Sequence, residues 1–165
     1  MVYIKIAICP GSVDPITNGH LDIIYRASKL FDKVVVLILN NPQKENMFSI
    51  EQRLDWINAS VKSLNNASVD YWSGLLVDYF NNSNACAIVK GIRSFQDFDY
   101  ESQMSTVNKL LEPSAETIFL PADPQKAHIT STLVKNLYQV GGNIDLLIPK
   151  TILKDVKKVL EEVNK

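Results

Sequence analysis

The stretch Pro10-Gly11-Ser12-Val13-Asp14-Pro15-Ile16-Thr17-Asn18-Gly19-His20 joins two segments of different period. Before it lies an apolar, strand-like run at residues 4–9. After it, Leu21, Ile24, Ala27 and Phe31 recur three or four apart, the spacing of a helix buried on one face. A turn rich in Gly, Pro, Ser and Asp at such a junction can aim several backbone N–H groups at one anion, with the positive end of the helix behind them. His20 falls in the first turn of that helix, beside any phosphate the turn would hold. The stretch reads as the phosphate-handling start of a nucleotide-binding βα unit.

The same order recurs along the chain. Strand-like runs lie at 34–39, 69–72, 85–89 and 117–120, with helical patterns between them. The clearest helix places Ile50, Leu54, Ile57, Val61 and Leu64 on one face and opens with Ser49 and Gln52, a capping-box pair. Others span roughly 75–81, 95–111 and 131–140, the last stopped by Gly141-Gly142. Ile152, Val156, Val159, Leu160 and Val163 give the tail an apolar face. Repeated strand–helix–strand order predicts an α/β fold: a Rossmann-like, doubly wound parallel five-stranded sheet with helices on both faces. No repeat or linker divides the chain, so one domain over 1–165 is expected.

Composition narrows the function. The 165 residues are 46% apolar, enough for a full core, and the net charge of −1 argues against general nucleic-acid binding. Cys9 and Cys86 lack metal-ligand spacing and read as small buried hydrophobes of a reducing compartment. The sequence shows neither a leader nor a run of membrane-spanning length, so a soluble, cytoplasmic protein is expected.

In a parallel sheet, ligands bind beyond the carboxyl ends of the strands. The polar residues of this sequence gather in those loops. The Gly11–His20 turn follows the first strand, and Asn40-Asn41-Pro42-Gln43-Lys44 the second. Lys90-Gly91-Ile92-Arg93 follows the fourth, and Thr130-Ser131-Thr132 opens the helix after the fifth. Three cations, a His and two helix N-termini on one rim describe a polyphosphate site.

Thr17-x-Gly19-His20 resembles the T/HxGH signature of the nucleotidyltransferase superfamily, and Ile129-Thr130-Ser131-Thr132 resembles its second, ISS(S/T)-type motif. PGSVDPITNGHLDII, Lys44 with Met47-Phe48 beyond it, and KGIRSFQDFDYE extend the likeness along nearly the whole chain. On these motifs the sequence resembles the bacterial phosphopantetheine adenylyltransferase family. The resemblance implies transfer of AMP from ATP to 4′-phosphopantetheine, giving dephospho-coenzyme A and pyrophosphate, with Mg²⁺ accompanying ATP. It also implies a homohexamer built as a dimer of trimers. The attacking atom is already an anionic phosphate oxygen, so positioning and charge stabilisation should suffice.

The resemblance implies a catalytic group of His20, Lys44 and Arg93. His20 would stabilise charge at the α-phosphate, and its place at a helix N-terminus favours a neutral ring. Lys44 would hold the attacking phosphate. ATP contacts are implied for Ser12, Val13, Thr17, Gly19, Gly91, Ile92, Arg93 and Glu101. They continue through Lys126, Ala127, His128, Ile129, Thr130, Ser131 and Thr132. Acceptor contacts are implied for Ser12, Lys44, Leu76, Lys90 and Asn108. No dedicated protein metal site is implied.

Some of these residues have plainer readings. Glu101 can equally pair with a neighbouring cation, the Thr130 cluster can be a simple N-cap, and Phe95 and Phe98 read as core or interface. Lys90 stands where the family commonly has Arg and loses the two-point fork. Cys9, Lys126 and Gly74 replace a frequent Tyr, aromatic and Asp; these changes should alter affinity rather than abolish activity. Competing functions are another small TxGH enzyme, such as a nicotinate-mononucleotide adenylyltransferase or a glycerol-phosphate cytidylyltransferase, an aminoacyl-tRNA synthetase fragment, and a non-catalytic nucleotide-binding regulator. The KGIR and DFDYE segments oppose the first. The short chain without a KMSKS-like loop opposes the second, and retention of all signature residues the third.

Overall fold

The computed structural model describes residues 4–39 and 45–163. Its elements run β1 (Ile6–Gly11), α1 (Asn18–Leu30), β2 (Lys33–Leu39), α2 (Ile50–Val61), β3 (Ala67–Trp72), α3 (Leu76–Asn82), β4 (Ala87–Ile92), α4 (Phe95–Leu111), β5 (Thr117–Pro121), α5 (Ser131–Gln139) and α6 (Leu153–Val163). The strands form one five-stranded sheet in the order β3-β2-β1-β4-β5, and every pairing is parallel. Strand order therefore reverses beside β1, between its neighbours β2 and β4. Such a reversal opens a crevice at the carboxyl ends of the strands.

Alternation along the strands divides the core. Ala7, Cys9, Val34, Val36 and Ile38 face one side, where they meet Ile24 and Ala27 of α1, Trp56 and Ile57 of α2, Val134 of α5, and Val156 and Leu160 of α6. Ile8, Leu37 and Ile88 face the other, against Phe80 of α3. The centre of the sheet is thus covered on both faces, which explains its unbroken apolar strands.

Several expectations need correction. β1 extends two residues beyond its apolar run because Pro10 and Gly11 continue the β2 ladder. β4 pairs with β1 only at Ala7 and Ile8, so the missing Pro10 N–H interrupts no bond on that side. β4 begins later and runs through Lys90 and Gly91, the charge at its end being matched by Glu101. Cys86 is exposed: it precedes β4, where the chain is still at the surface. Phe95 and Phe98 are not core either. Phe95 is 82% exposed, and Phe98 packs edge-on to Phe119 with ring centres 5.4 Å apart.

Asn18 fastens the C-terminal segment to the start of α1. Its N–H donates to the Leu147 carbonyl at 2.8 Å, and its side-chain amide to the carbonyls of Leu146 at 2.8 Å and Ile148 at 3.4 Å. Asn18→Ala keeps the backbone bond and loses both side-chain bonds, so unfolding in urea should show a loss of about 1–2 kcal/mol. An unchanged midpoint would mean that apolar burial of Ile144 and Ile148 alone holds the segment.

Candidate active site

Residues 12–17 cross the crevice from β1 to α1. Val13 takes a left-handed backbone, φ 47°, at a β-branched residue, and the Asp14–Pro15 peptide is cis. Arg53, only 3% exposed, reaches in from α2 and donates to the carbonyls of Ser12 at 2.8 Å and Ser49 at 3.3 Å. Its place was hidden in the sequence, where a charged residue interrupts an otherwise apolar helix face.

Thr17 caps α1 in an unusual version of the capping box. The third helical residue, ordinarily Glu or Gln, is His20. The Thr17 hydroxyl accepts from the His20 N–H at 3.4 Å, and the Thr17 N–H donates to His20 Nδ1 at 3.1 Å. The hydroxyl also lies 2.9 Å from Nδ1. A ring nitrogen that accepts a backbone N–H cannot carry a proton, so the neutral ring bears its hydrogen on Nε2. Burial pushes the His20 pKa down to about 4, and the nearby Arg93 charge adds to the effect. Burial and the Arg93 charge thus act in the same direction as the helix terminus, all three favouring the neutral ring. Among the described residues, Nε2 has no hydrogen-bond partner, so its N–H is available as a donor.

Gly19 lets the second motif approach. A Cβ there would lie 2.7 Å from the Ile129 carbonyl oxygen, closer than atoms can pack. Thr130 caps α5, its hydroxyl accepting from the Leu133 N–H at 2.9 Å. Ser131 donates from Oγ to the Pro15 carbonyl at 2.7 Å, which joins the head of α5 to the turn after β1. Thr130 is thus an N-cap, as one reading of the cluster held, and Ser131 and Thr132 beside it line the cavity. Ser12, Asp14, Glu45, Asn46, Ser131, Thr132 and Lys135 enclose a cavity of about 310 Å³ there.

The site cations among the described residues are paired. Arg93 makes a two-point bond to Asp97, Nε to Oδ2 at 2.7 Å and Nη2 to Oδ1 at 3.0 Å, which holds the Asp97 carboxyl below its ordinary range despite some burial. Lys90 pairs with Glu101 at 3.1 Å, so the structure shows the ion-pair reading of Glu101. Lys126 pairs with Asp22 at 3.2 Å. Gly91 fits against Ile23 of α1, whose Cγ1 would lie 2.7 Å from a Cβ at that position. Leu76 opens α3 and Asn108 lies on the adjacent α4, on the opposite side of the sheet from α1. Lys44 lies outside the described residues. Lys126, His128 and Ile129 also line a larger cleft of about 560 Å³ on the outer side of α1, with Tyr25, Ser63 and Leu146. Neither His20 nor Arg93 is among the described residues lining it.

A strained turn, a neutral His at a helix head and a second hydroxyl-bearing helix head bonded to that turn are the features expected of a nucleotidyltransferase-type site. Residues 8–137 match the family described as cytidylyltransferase-like. The chain is 45% identical over 161 residues to the phosphopantetheine adenylyltransferase of Caldanaerobacter subterraneus subsp. tengcongensis, covering 98% of this chain and 99% of that one. It is 49% identical over 154 residues to the protein of that name from Clostridium tetani, covering 93% and 96%. The chain belongs to the phosphopantetheine adenylyltransferase family. Its fold is shared with a bifunctional NMN adenylyltransferase/ADP ribose pyrophosphatase from Francisella tularensis, at 19% identity and a TM-score of 0.71. That match covers 97% of this chain and 49% of the longer one.

The protein has two histidines, His20 and His128, so a proton NMR titration can follow both, with His20→Gln assigning the signals. The His20 ring should keep its neutral signature down to about pH 5 and titrate near pH 4. Stability has a matching sign. The unfolded ring binds its proton near pH 6.5 and the folded one near 4. The contribution is therefore complete above pH 6.5 and declines as pH falls through the folded value. A His20 midpoint near 6.5 would contradict the burial and the tautomer together.

Proposed function

We propose that the protein transfers the adenylyl group of ATP to 4′-phosphopantetheine, releasing pyrophosphate and forming dephospho-coenzyme A. The reading is carried by the neutral, Nε2-protonated His20 at the head of α1, where the two helix heads meet. Membership in the family supports the choice of acceptor. In this reading a phosphate oxygen of the acceptor attacks the α-phosphorus as the bond to the β-phosphate bridging oxygen breaks. His20 donates from Nε2 to an α-phosphate oxygen as negative charge builds, and needs to accept no proton.

The remaining roles are those the family resemblance implies. Lys44 and Lys90 screen the acceptor phosphate, and Ser12 stands between the substrates. Val13, Thr17 and Gly19 shape the turn beside ATP. Arg93, with Gly91 and Ile92, reaches the nucleotide once it exchanges Asp97 for phosphate, and Glu101 orients the rim through Lys90. Lys126, Ala127, His128 and Ile129 flank the adenosine, while Thr130, Ser131 and Thr132 offer hydroxyls and N–H groups to the β- and γ-phosphates. Leu76 and Asn108 line the pantetheine arm.

Mg²⁺ supplies charge neutralisation when it arrives with ATP. In this reading the ion is carried mainly by phosphate oxygens and water. No helix of the described residues is long and apolar enough to cross a membrane, and a cytoplasmic location suits a step in coenzyme A synthesis. The chain acts as one domain in a homohexamer arranged as a dimer of trimers. Support comes from α4, which buries none of its residues and exposes Phe95, Tyr100 and Leu110.

Incubation with ATP, Mg²⁺ and 4′-phosphopantetheine should release pyrophosphate and dephospho-coenzyme A in equal amounts. Product with nicotinate mononucleotide but none with 4′-phosphopantetheine would favour the other adenylyltransferase reading. His20→Ala should lower kcat by a factor worth about 2–4 kcal/mol while ATP affinity changes little. Equal loss in binding with kcat unchanged would rule out a transition-state role. Light scattering should return six times the protomer mass, and a monomer would refute the assembly.

A further inference from the structure

The cavity at the head of α5 holds a carboxylate where an anion is to bind. Asp14 is 4% exposed and shares the cavity wall with Ser12, Ser131 and Thr132. A buried carboxylate must be stabilised by hydrogen bonds and opposite charge. Its Oδ1 accepts the Phe48 N–H and its Oδ2 the Met47 N–H, both at 3.0 Å. These bonds tie the start of the 47–48 segment to the turn after β1, only three residues beyond Lys44 in sequence. Amide donors hold the carboxylate in place, but they leave its full charge at the wall.

Lys135 removes that charge. It is the fifth residue of α5, and its Nζ lies 2.7 Å from Asp14 Oδ2. It reaches across from the second motif to the first, 121 positions away. Glu45, the other carboxylate of the cavity, is exposed and water-screened, so Asp14 is the acid that a bound polyphosphate would feel most strongly.

We propose that Lys135 is a positioning residue of the nucleotide site: its ammonium neutralises Asp14, so Asp14 can fasten the 47–48 segment without repelling the triphosphate. The inference rests on the reading that ATP phosphates occupy the head of α5. It differs from direct phosphate contact by Lys135 in one measurable way. If Lys135 acts through Asp14, removing the Asp14 charge must compensate for removing Lys135.

The test is calorimetric binding of ATP with Mg²⁺ and no acceptor, so no turnover occurs, to the wild type, Lys135→Gln, Lys135→Arg, Asp14→Asn and the Asp14→Asn/Lys135→Gln double variant. Lys135→Gln should bind roughly tenfold more weakly, as expected for one uncompensated charge near the phosphates, while Lys135→Arg stays within about twofold of wild type. The double variant should regain most of the lost affinity. In both variants that carry Asp14→Asn, hydrogen exchange at the Met47 and Phe48 amides should speed up. A double variant no tighter than Lys135→Gln, or a Lys135→Gln protein that binds as the wild type does, overturns the proposal. If the Asp14→Asn proteins do not fold, salt decides: the deficit of Lys135→Gln relative to Lys135→Arg must shrink as ionic strength rises, and equal affinity of the two overturns it. Failure of the wild type to bind ATP at all would instead refute the parent reading of the site.

Discussion

Two hydrogen bonds between Thr17 and His20 determine what this site can do. A capping box ordinarily ends with a carboxylate or amide reaching back to the first free N–H of a helix. Here an imidazole takes that place, so the bond that starts α1 also selects the ring's tautomer and fixes its orientation. Helix initiation and chemistry thus use the same atoms. Solvation cannot restore a proton to Nδ1 without breaking the cap, and Arg93 opposes a positive ring as well. The result is a donor prepared in advance, the kind of group that the proposed reaction calls for.

The two motifs lie far apart in sequence and are fastened by direct bonds. Ser131 donates to the Pro15 carbonyl, Lys135 meets Asp14, and the Ile129 carbonyl lies against a Gly19 that has no side chain to obstruct it. Arg53 adds support from α2 by holding the Ser12 carbonyl. Asn18 ties in the C-terminal segment from the opposite side. The signature residues thus divide between those that face the crevice and those that hold it in shape. In a TNGH sequence, Asn and Gly belong to the second group.

Strand–helix alternation made the sheet legible from residue types alone, because a parallel sheet covered on both faces needs apolar strands and half-apolar helices. The 95–111 helix was legible from its pattern even though it fully buries none of its residues, and the structure adds a cap at Ser94 that accepts the Asp97 N–H. The site was legible where backbone geometry restricts the residue, as at Gly19 and Thr17. It was not legible where the determinant is a pairing across the fold. Nothing local marks Asp14 as the acceptor for Met47 and Phe48, whereas the Arg93–Asp97 pair is local, its four-residue spacing being a signal that sequence reasoning passed over. Arg53 was the hardest to foresee, because a cation at a buried helical position looks like an error in the apolar pattern until the Ser12 carbonyl is placed beside it. Cys86 failed for a simpler reason: an apolar run can begin before the strand is covered.

Val13 has a consequence for the turn as a whole. A β-branched residue held at φ 47° carries backbone strain of about 1–3 kcal/mol, which only the surrounding contacts can offset. The Val13 side chain is buried, Arg53 holds Ser12 on one side of it, and the Met47 and Phe48 amides hold Asp14 on the other. The residues from Pro10 to His20 therefore do not encode their own shape. Excised as a peptide, or grafted onto a scaffold that lacks α2 and α5, they would relax to ordinary extended backbone and lose the shape of the turn. The motif is portable as a string of letters but not as an object.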